Sequence, residues 1–345
     1  MFGVKKGKSG VSLTQTWQAE IGDHVIAQAW SPDGSQVAAA SVAGPIVVFH
    51  AGTGKVRQKL PGHGFGTTSL SWHPQGQSLA SSGQDGKVRS WHPATGREQF
   101  AADGGHAWVE RVAWSPDGKL LASSAGKIVR LWDESGRMHR EWADFPSTVV
   151  DLQWKPGANE LATAAYGELR VLRPDIEKAV RTFTWKGSIL VLAWSPTGKY
   201  IATGDQDSTV HFWILKNGED LMMSGYPTKV REIAWDYMGR YLATGGGATP
   251  CVWDTSGAGP ADTTPAQLKA HTDRVTTLAY QRRGPLLVSG GEDGLVALWN
   301  PAKSSRVVAK IELAAPVTTI AWSMDDQKLA VATESGSIAM LSLKS

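Results

Sequence analysis

Histidine, serine, cysteine and the carboxylates are the residues of this chain that could do chemistry, and their spacing limits which chemistry. The nine histidines contain no HxxxH or HExxH pair, so the helical placement that hydrolytic zinc sites use is missing. Cys251 is the one cysteine, which removes intrachain disulfides and multi-cysteine zinc or iron–sulfur sites, and beside Val252 and Trp253 it reads as a small core residue. Serine, histidine and aspartate together have the composition of a nucleophilic hydrolase, yet no serine stands in a GxSxG elbow and the histidines and aspartates recur along the chain. Recurrence argues for wiring inside a repeated structure rather than for one reaction centre. Glycine clusters at Gly245-Gly246-Gly247 and Gly290-Gly291 do not open a helix, so neither phosphate-cradling pattern is met. No catalytic residue, metal site or cofactor is expected.

Composition narrows the partners. The chain has 345 residues with 35 Lys+Arg against 32 Asp+Glu, a net charge of +3. Lys5, Lys6 and Lys8 supply that excess within residues 1–10, read as a flexible basic tail, so a broad nucleic-acid footprint is not supported. The start, MFGVKKGKSG, lacks the apolar segment of an export signal, and no apolar run approaches the roughly 18 residues that a spanning helix needs. A cytoplasmic, monomeric protein with no membrane partner is the expectation.

The elements that must position any site are set by a repeat. An aromatic closes a short β-type run at Trp30, Trp72, Trp114, Trp154, Trp194, Trp235, Tyr280 and Trp322, at intervals of 40 to 45 residues. A fixed period of that size marks propeller blades. Turns follow most of these aromatics, as SPDG at Ser31–Gly34 and Ser115–Gly118 and SPTG at Ser195–Gly198, where proline presets φ and glycine accepts the tight backbone. A second run, a third run ending at Phe49, Trp91, Trp132, Leu172, Trp213, Trp253, Trp299 or Leu341, and a more polar fourth run complete each period. Twelve of the 16 tryptophans thereby fall at strand ends, where large aromatics pack between neighbouring sheets. Thr255–Thr264, rich in Gly, Pro and Thr, reads as a solvated insertion at the rim.

The GH pairs at Gly62-His63 and Gly105-His106 and the WD pairs at Trp132-Asp133 and Trp253-Asp254, set in eight in-phase copies, resemble the WD-repeat family of β-propellers, and the tight AWSPDG-type repeats look like its prokaryotic members. The resemblance runs from about Leu13 to Leu343. It implies an all-β fold, a single domain over residues 1–345 forming an eight-bladed propeller of four-stranded blades, with seven blades as the alternative. The last period lacks a fourth strand, and Leu13–Trp17 at the N-terminus is available to complete it and close the propeller.

The family pattern also implies a hydrogen-bonded series of His, Ser or Thr, Asp and Trp. Two repeats carry it whole: His63, Ser81, Asp85 and Trp91, then His271, Ser289, Asp293 and Trp299. A third keeps Thr203, Asp207 and Trp213 but has Trp185 and Lys186 where the histidine belongs; the repeat ending at Trp132 keeps His106 and lacks the Asp. Remaining repeats need other stabilisation.

Function is expected at the loops before the first strands. Phe65, Trp108, Phe145, Trp185 and Tyr226 stand there, with Arg231 and Arg274 among them, and Gln84, Gln206 and Glu292 precede the turn aspartates on the same face by the family arrangement. Aromatic and arginine anchors dominate interface energies. The alternative use of these aromatics is to cap their own blades. The sequence therefore reads as a non-catalytic scaffold for a protein or peptide. Its alternatives are a metal-trafficking or assembly accessory protein, and a propeller enzyme with a bound cofactor.

Overall fold

A computed structural model describes residues 10–344 apart from 258 and 262; Lys5, Lys6 and Lys8 of the expected tail lie outside the described residues. The strands are antiparallel throughout the described ladders, in sheets whose usual unit is four strands in sequence order. This is a β-propeller with four-stranded blades. Second strands such as Gln36–Ser41 and Leu79–Gly83 are buried on both faces, whereas outer strands such as Val56–Leu60 and Met138–Trp142 alternate exposed and covered residues. The gradient follows position, because an outer strand has a neighbour on one side only.

Among the described residues seven sheets form, not eight, which matches the alternative count and corrects the leading one. All eight sequence repeats contribute strands, but the fourth and fifth share a single six-stranded sheet. The cause is local. The fourth repeat has no QDG-type turn: Tyr166-Gly167 reverses the chain tightly, with Gly167 at φ 90° and Thr163 Oγ1 donating to the Arg170 carbonyl at 3.4 Å, so Leu161–Leu172 folds back without leaving the ladder. Arg181–Trp194 likewise runs without a loop from an outer position into the next first strand, and pairing continues from Glu168↔Thr184 to Tyr166↔Ser188 across a bulge. Trp185-Lys186-Gly187 replaces the histidine-bearing loop and lets the chain remain extended.

The strands divide into two compact bodies. The central body is Ile21–Leu192. In it Trp72 Nε1 donates to the Ala29 carbonyl at 3.1 Å and Trp154 Nε1 to the Ala113 carbonyl at 2.9 Å. Each tryptophan thus packs between blades and also ties its indole N–H to the previous first strand. Asp151, 5% exposed, extends this tie: its carboxylate accepts from Arg111 Nε at 3.2 Å and from the Leu192 amide at 3.0 Å.

The terminal body is Met1–Glu20 with Ala193–Ser345. Ser12–Glu20 pairs with Ser337–Lys344 from Ser12↔Lys344 to Glu20↔Ser337, so the N-terminal strand completes the last sheet as the strand bookkeeping requires. Trp235 and Trp322 repeat the indole bond, to Ala193 and Ala279 carbonyls at 3.2 and 3.1 Å. The Thr255–Thr264 segment is solvated except at Thr255 and its middle: Gly259 and Pro260 are buried, and a Cβ on Gly259 would lie 3.2 Å from Phe212 Cε1. Its repeat keeps only Ala266–Gln267 as an outer strand, and the middle of the glycine-rich segment touches the neighbouring repeat while Ser256, Gly257, Ala261, Thr263 and Thr264 stay exposed.

In both bodies the first strand carries a bulge near its start, between Val25 and Ala27, Thr67 and Ser69, Val109 and Arg111, Val149 and Asp151, Val275 and Thr277, and Val317 and Thr319. A bulge re-aims one side chain and ends regular pairing, and here it does so beside the loops where partner residues were expected.

Candidate functional site

The two complete His–Ser–Asp–Trp sets form as the family pattern implies. His63 Nδ1 lies 2.8 Å from Asp85 Oδ1 and Nε2 lies 2.8 Å from Ser81 Oγ, which accepts from Trp91 Nε1 at 2.8 Å. His271 repeats the geometry with Asp293 at 3.0 Å, Ser289 at 2.8 Å and Trp299 at 2.9 Å. Burial pushes the His63 pKa down, against the pull of Asp85. A neutral ring with its proton on Nδ1 donates to the carboxylate and accepts the serine proton, so every group is satisfied. Ser81 and Ser289 are fully buried and have no surface to offer a substrate.

The incomplete repeats use substitutes that sequence reading did not assign. Tyr226, expected on the binding surface, turns inward: its hydroxyl accepts from Trp253 Nε1 at 2.9 Å and lies 2.9 Å from Thr244 Oγ1. It takes the part of the missing histidine. Burial pushes its pKa well above the usual tyrosine range. Phe145, likewise expected outside, is 3% exposed, and the Arg170 guanidinium sits 4.3 Å from its ring centre while bonding Asp144 at 2.7 Å. In the repeat with Ser123 and Trp132 the indole bond forms at 2.8 Å, and His106 stays exposed, outside that bond.

The repeat holding Thr203 keeps its Trp213 bond at 3.1 Å, and Asp205 occupies the position of Gly83, two residues beyond the hydroxyl residue. A Cβ at Gly83 would overlap the His63 ring, so the space a histidine fills elsewhere is here available to a carboxylate. Asp205 is fully buried, neither of its carboxylate oxygens has a hydrogen-bond partner among the described residues, and its nearest charged neighbour is His211 Nε2 at 3.7 Å. His211 Nδ1 bonds Asp220 at 2.6 Å and its ring stacks on Trp213. Burial raises the Asp205 pKa to about 7; Asp207 and Asp220 push the same way and His211 opposes them.

Two of the five expected aromatics remain on the surface, both in the central body. Phe65 is 86% exposed and Trp108 54% exposed. Phe65 also has φ of 67°, a left-handed backbone that costs a bulky residue about 1–2 kcal/mol. Val42, on the connection from the second to the third strand of the first repeat, is exposed nearby in the chain order of loops, and its carbonyl lies against Gly66. Gln84 is half-buried, with its amide bonded to the Gly66 carbonyl at 3.0 Å. Trp185 is half-buried, its ring folded over Gly187.

In the terminal body Arg231 and Gln206 are exposed. Arg274 and Glu292 are paired with each other at 2.5 Å, so both charges are already compensated. Among the described residues no group of three or more His, Cys, Asp or Glu is placed to hold a metal.

The WD domain, G-beta repeat family matches five segments, residues 54–92, 99–133, 177–213, 220–254 and 263–300, more than half of the sequence. The chain belongs to the WD40 repeat family. Among curated proteins it is 29% identical over 34% of its length to Periodic tryptophan protein 2 homolog of Caenorhabditis elegans and 32% identical over 26% to Protein FIZZY-RELATED 1 of Arabidopsis thaliana. It is 30% identical over 36% to WD repeat-containing protein 18 of Rattus norvegicus. These matches span 13%, 20% and 31% of the relatives' own lengths. All three are eukaryotic, which gives the expectation of a prokaryotic source no support. The computationally designed Ika8 protein shares the fold, with a TM-score of 0.81 and 21% identity over 94% of this chain and 97% of that one.

Proposed function

We propose that this WD40 protein is a non-catalytic scaffold that binds a protein or peptide through the loops before its first strands, with Phe65 and Trp108 as the anchors. The observation that carries the reading is Phe65: a phenylalanine held in left-handed backbone and 86% exposed spends conformational energy without burying anything in its own chain. Strain of that kind persists where a surrounding function favours it, and exposed aromatics that become buried on association are the strongest interface contributors.

Relatives support the class of function. One is named as a cofactor of the APC complex and another as a THO complex subunit, so assembly with other proteins is the shared theme. The expected face is thereby narrowed. Phe145 and Tyr226 are excluded as anchors because their rings serve the interior, and Arg274 and Glu292 act as a rim pair; Arg231, Gln206 and Gln84 remain as peripheral polar contacts. The single Cys251, half-buried with its thiol pKa raised by burial, is consistent with a cytoplasmic setting.

Affinity purification from the native host tests this. Wild type is expected to retain a defined partner that the Phe65→Ala/Trp108→Ala variant loses with unchanged thermal stability. Equal recovery by both proteins would remove the reading.

A further inference from the structure

One end of the terminal body carries a set of exposed cations that lack carboxylate partners among the described residues. Its turn end is formed by the connections from first to second strands and from third to outer strands. Lys199, Lys216, Arg282, Arg283, Lys303 and Arg306 are all exposed there, and none has a side-chain carboxylate partner among the described residues. Arg240 is the cation at this end that does, bonding Asp254 at 2.8 Å.

Two acids at the same end are turned inward, while Glu219 and Asp325 are exposed among the cations. Asp326, 7% exposed, accepts the Arg282 and Arg283 amides at 2.8 Å each. Asp236, 4% exposed, accepts the Arg240 and Tyr241 amides at 2.6 and 2.7 Å. Carboxylates committed to backbone N–H groups cannot swing out to meet the arginines, so the guanidinium and ammonium groups project beyond them.

The central body shows that such an arrangement is not forced by the fold. At its turn end Arg137 pairs with Asp133, Lys155 with Glu160 and Arg173 with Asp175, each at 2.8 Å. The opposite end of the terminal body mixes Asp207, Asp273, Glu292, Asp293 and Glu334 with Lys229, Arg231 and Arg274, so the unpartnered cations are a feature of the turn end. Beside the cations Tyr237 is 42% and Met238 63% exposed, on the turn between Trp235 and Tyr241.

We infer that the turn end of the terminal body docks an acidic polypeptide segment of a partner protein, one in which carboxylates flank an apolar or aromatic side chain that covers Tyr237 and Met238. Complementary charge steers the encounter and the apolar contact fixes register. A protein segment is favoured over nucleic acid because Tyr237 is the one aromatic exposed at this end among the described residues, whereas strand binding draws on several stacking faces.

Fluorescence anisotropy with a labelled peptide of repeated Glu-Glu-Phe-Glu tests the surface at low salt. Arg283→Glu/Lys303→Glu is expected to weaken binding about ten-fold or more, the equivalent of roughly one compensated charge pair, with an unchanged melting temperature. Lys55→Glu/Lys119→Glu, the same change of net charge on the turn end of the central body, is expected to leave binding within about two-fold. Tyr237→Ala should weaken the peptide further but leave binding of a polyglutamate without phenylalanine unchanged. Phe65→Ala should have no effect, which separates this surface from the Phe65–Trp108 site. Equal losses in the two charge-reversal variants, no binding by wild type, or tighter binding of an oligonucleotide of matched charge would overturn the inference.

Discussion

The second and fifth repeats meet the same structural demand with different residues. In each, a tryptophan ending the third strand gives its indole N–H to a hydroxyl in the second: Trp91 to Ser81, Trp213 to Thr203. The residue paired opposite that hydroxyl is Arg89 in one and His211 in the other. Arg89 bridges Asp85 at 3.3 Å and Glu98 at 2.6 Å; His211 stands between Asp205 at 3.7 Å and Asp220 at 2.6 Å. The cation of the second repeat is permanent, and His63 uses both ring nitrogens to close the network with Asp85 and Ser81. In the fifth repeat an imidazole takes the place of that guanidinium and a buried carboxylate stands where His63 would be. The fold tolerates either solution, and their proton-dependent costs run in opposite directions, because burial lowers the His63 pKa and raises that of Asp205.

The largest way to break the comparison is His63→Ala. It leaves Ser81 and Asp85 short of a partner and opens a cavity, so a loss of about 3–5 kcal/mol in urea unfolding at pH 7 is expected. A loss under about 1 kcal/mol would mean that the network is ornamental.

Next comes Asp205→Asn, read as a difference curve against wild type. Burial raises the folded pKa of Asp205 to about 7, against 3.8 for an ordinary aspartate. Below pH 4 the carboxyl is protonated in both states and costs nothing. Between pH 4 and 7 the unfolded chain gives up its proton and the folded one keeps it, so wild-type stability falls, then levels off above 7. At about 1.4 kcal/mol per unit, the gap between variant and wild type should widen by up to about 4 kcal/mol across that window. His63, whose folded pKa is depressed, loses stability as pH falls below its unfolded value near 6.5, and the difference curve cancels that slope. A flat difference curve would show that Asp205 is ionised and solvated.

A smaller effect sharpens the role of Tyr226. Tyr226→Phe keeps the ring and removes the acceptor of Trp253 and the partner of Thr244, so about 1–3 kcal/mol should be lost. Smallest, and opposite in sign, is Phe65→Gly, expected to leave stability unchanged or raise it by about 1 kcal/mol by releasing the left-handed backbone. Chemical denaturation reads both.

Much of the fold was legible because the repeat spacing is redundant. Trp72 or Trp322 could each be misread alone, but their common period, the SPDG turns and the polar outer runs agree on the same strands. Blade count failed where one local signal was missing: with a tight Tyr166-Gly167 reversal in place of a QDG-type turn, two repeats share a sheet, and counting anchors does not reveal pairing. The candidate site was legible by type and not by direction. Phe65, Phe145 and Tyr226 occupy similar places before first strands, and which one turns inward depends on what the neighbouring strand lacks. For Tyr226 a signal existed, since its repeat has Thr244 and Trp253 but no histidine. For Asp205 the signal was the replacement of a glycine that elsewhere makes room for a ring.

The account rests on the division between Phe65 and Trp108, which face out, and Tyr226, which faces in. The most direct test measures affinity for the purified partner and melting temperature together, in Phe65→Ala/Trp108→Ala and in Tyr226→Phe. Two anchors at about 2 kcal/mol each predict a drop of several hundred-fold in the first variant with no thermal shift, and a lowered melting temperature with near-native affinity in the second. Unchanged affinity in the first variant, or a thermal loss equal to that of the second, would contradict it.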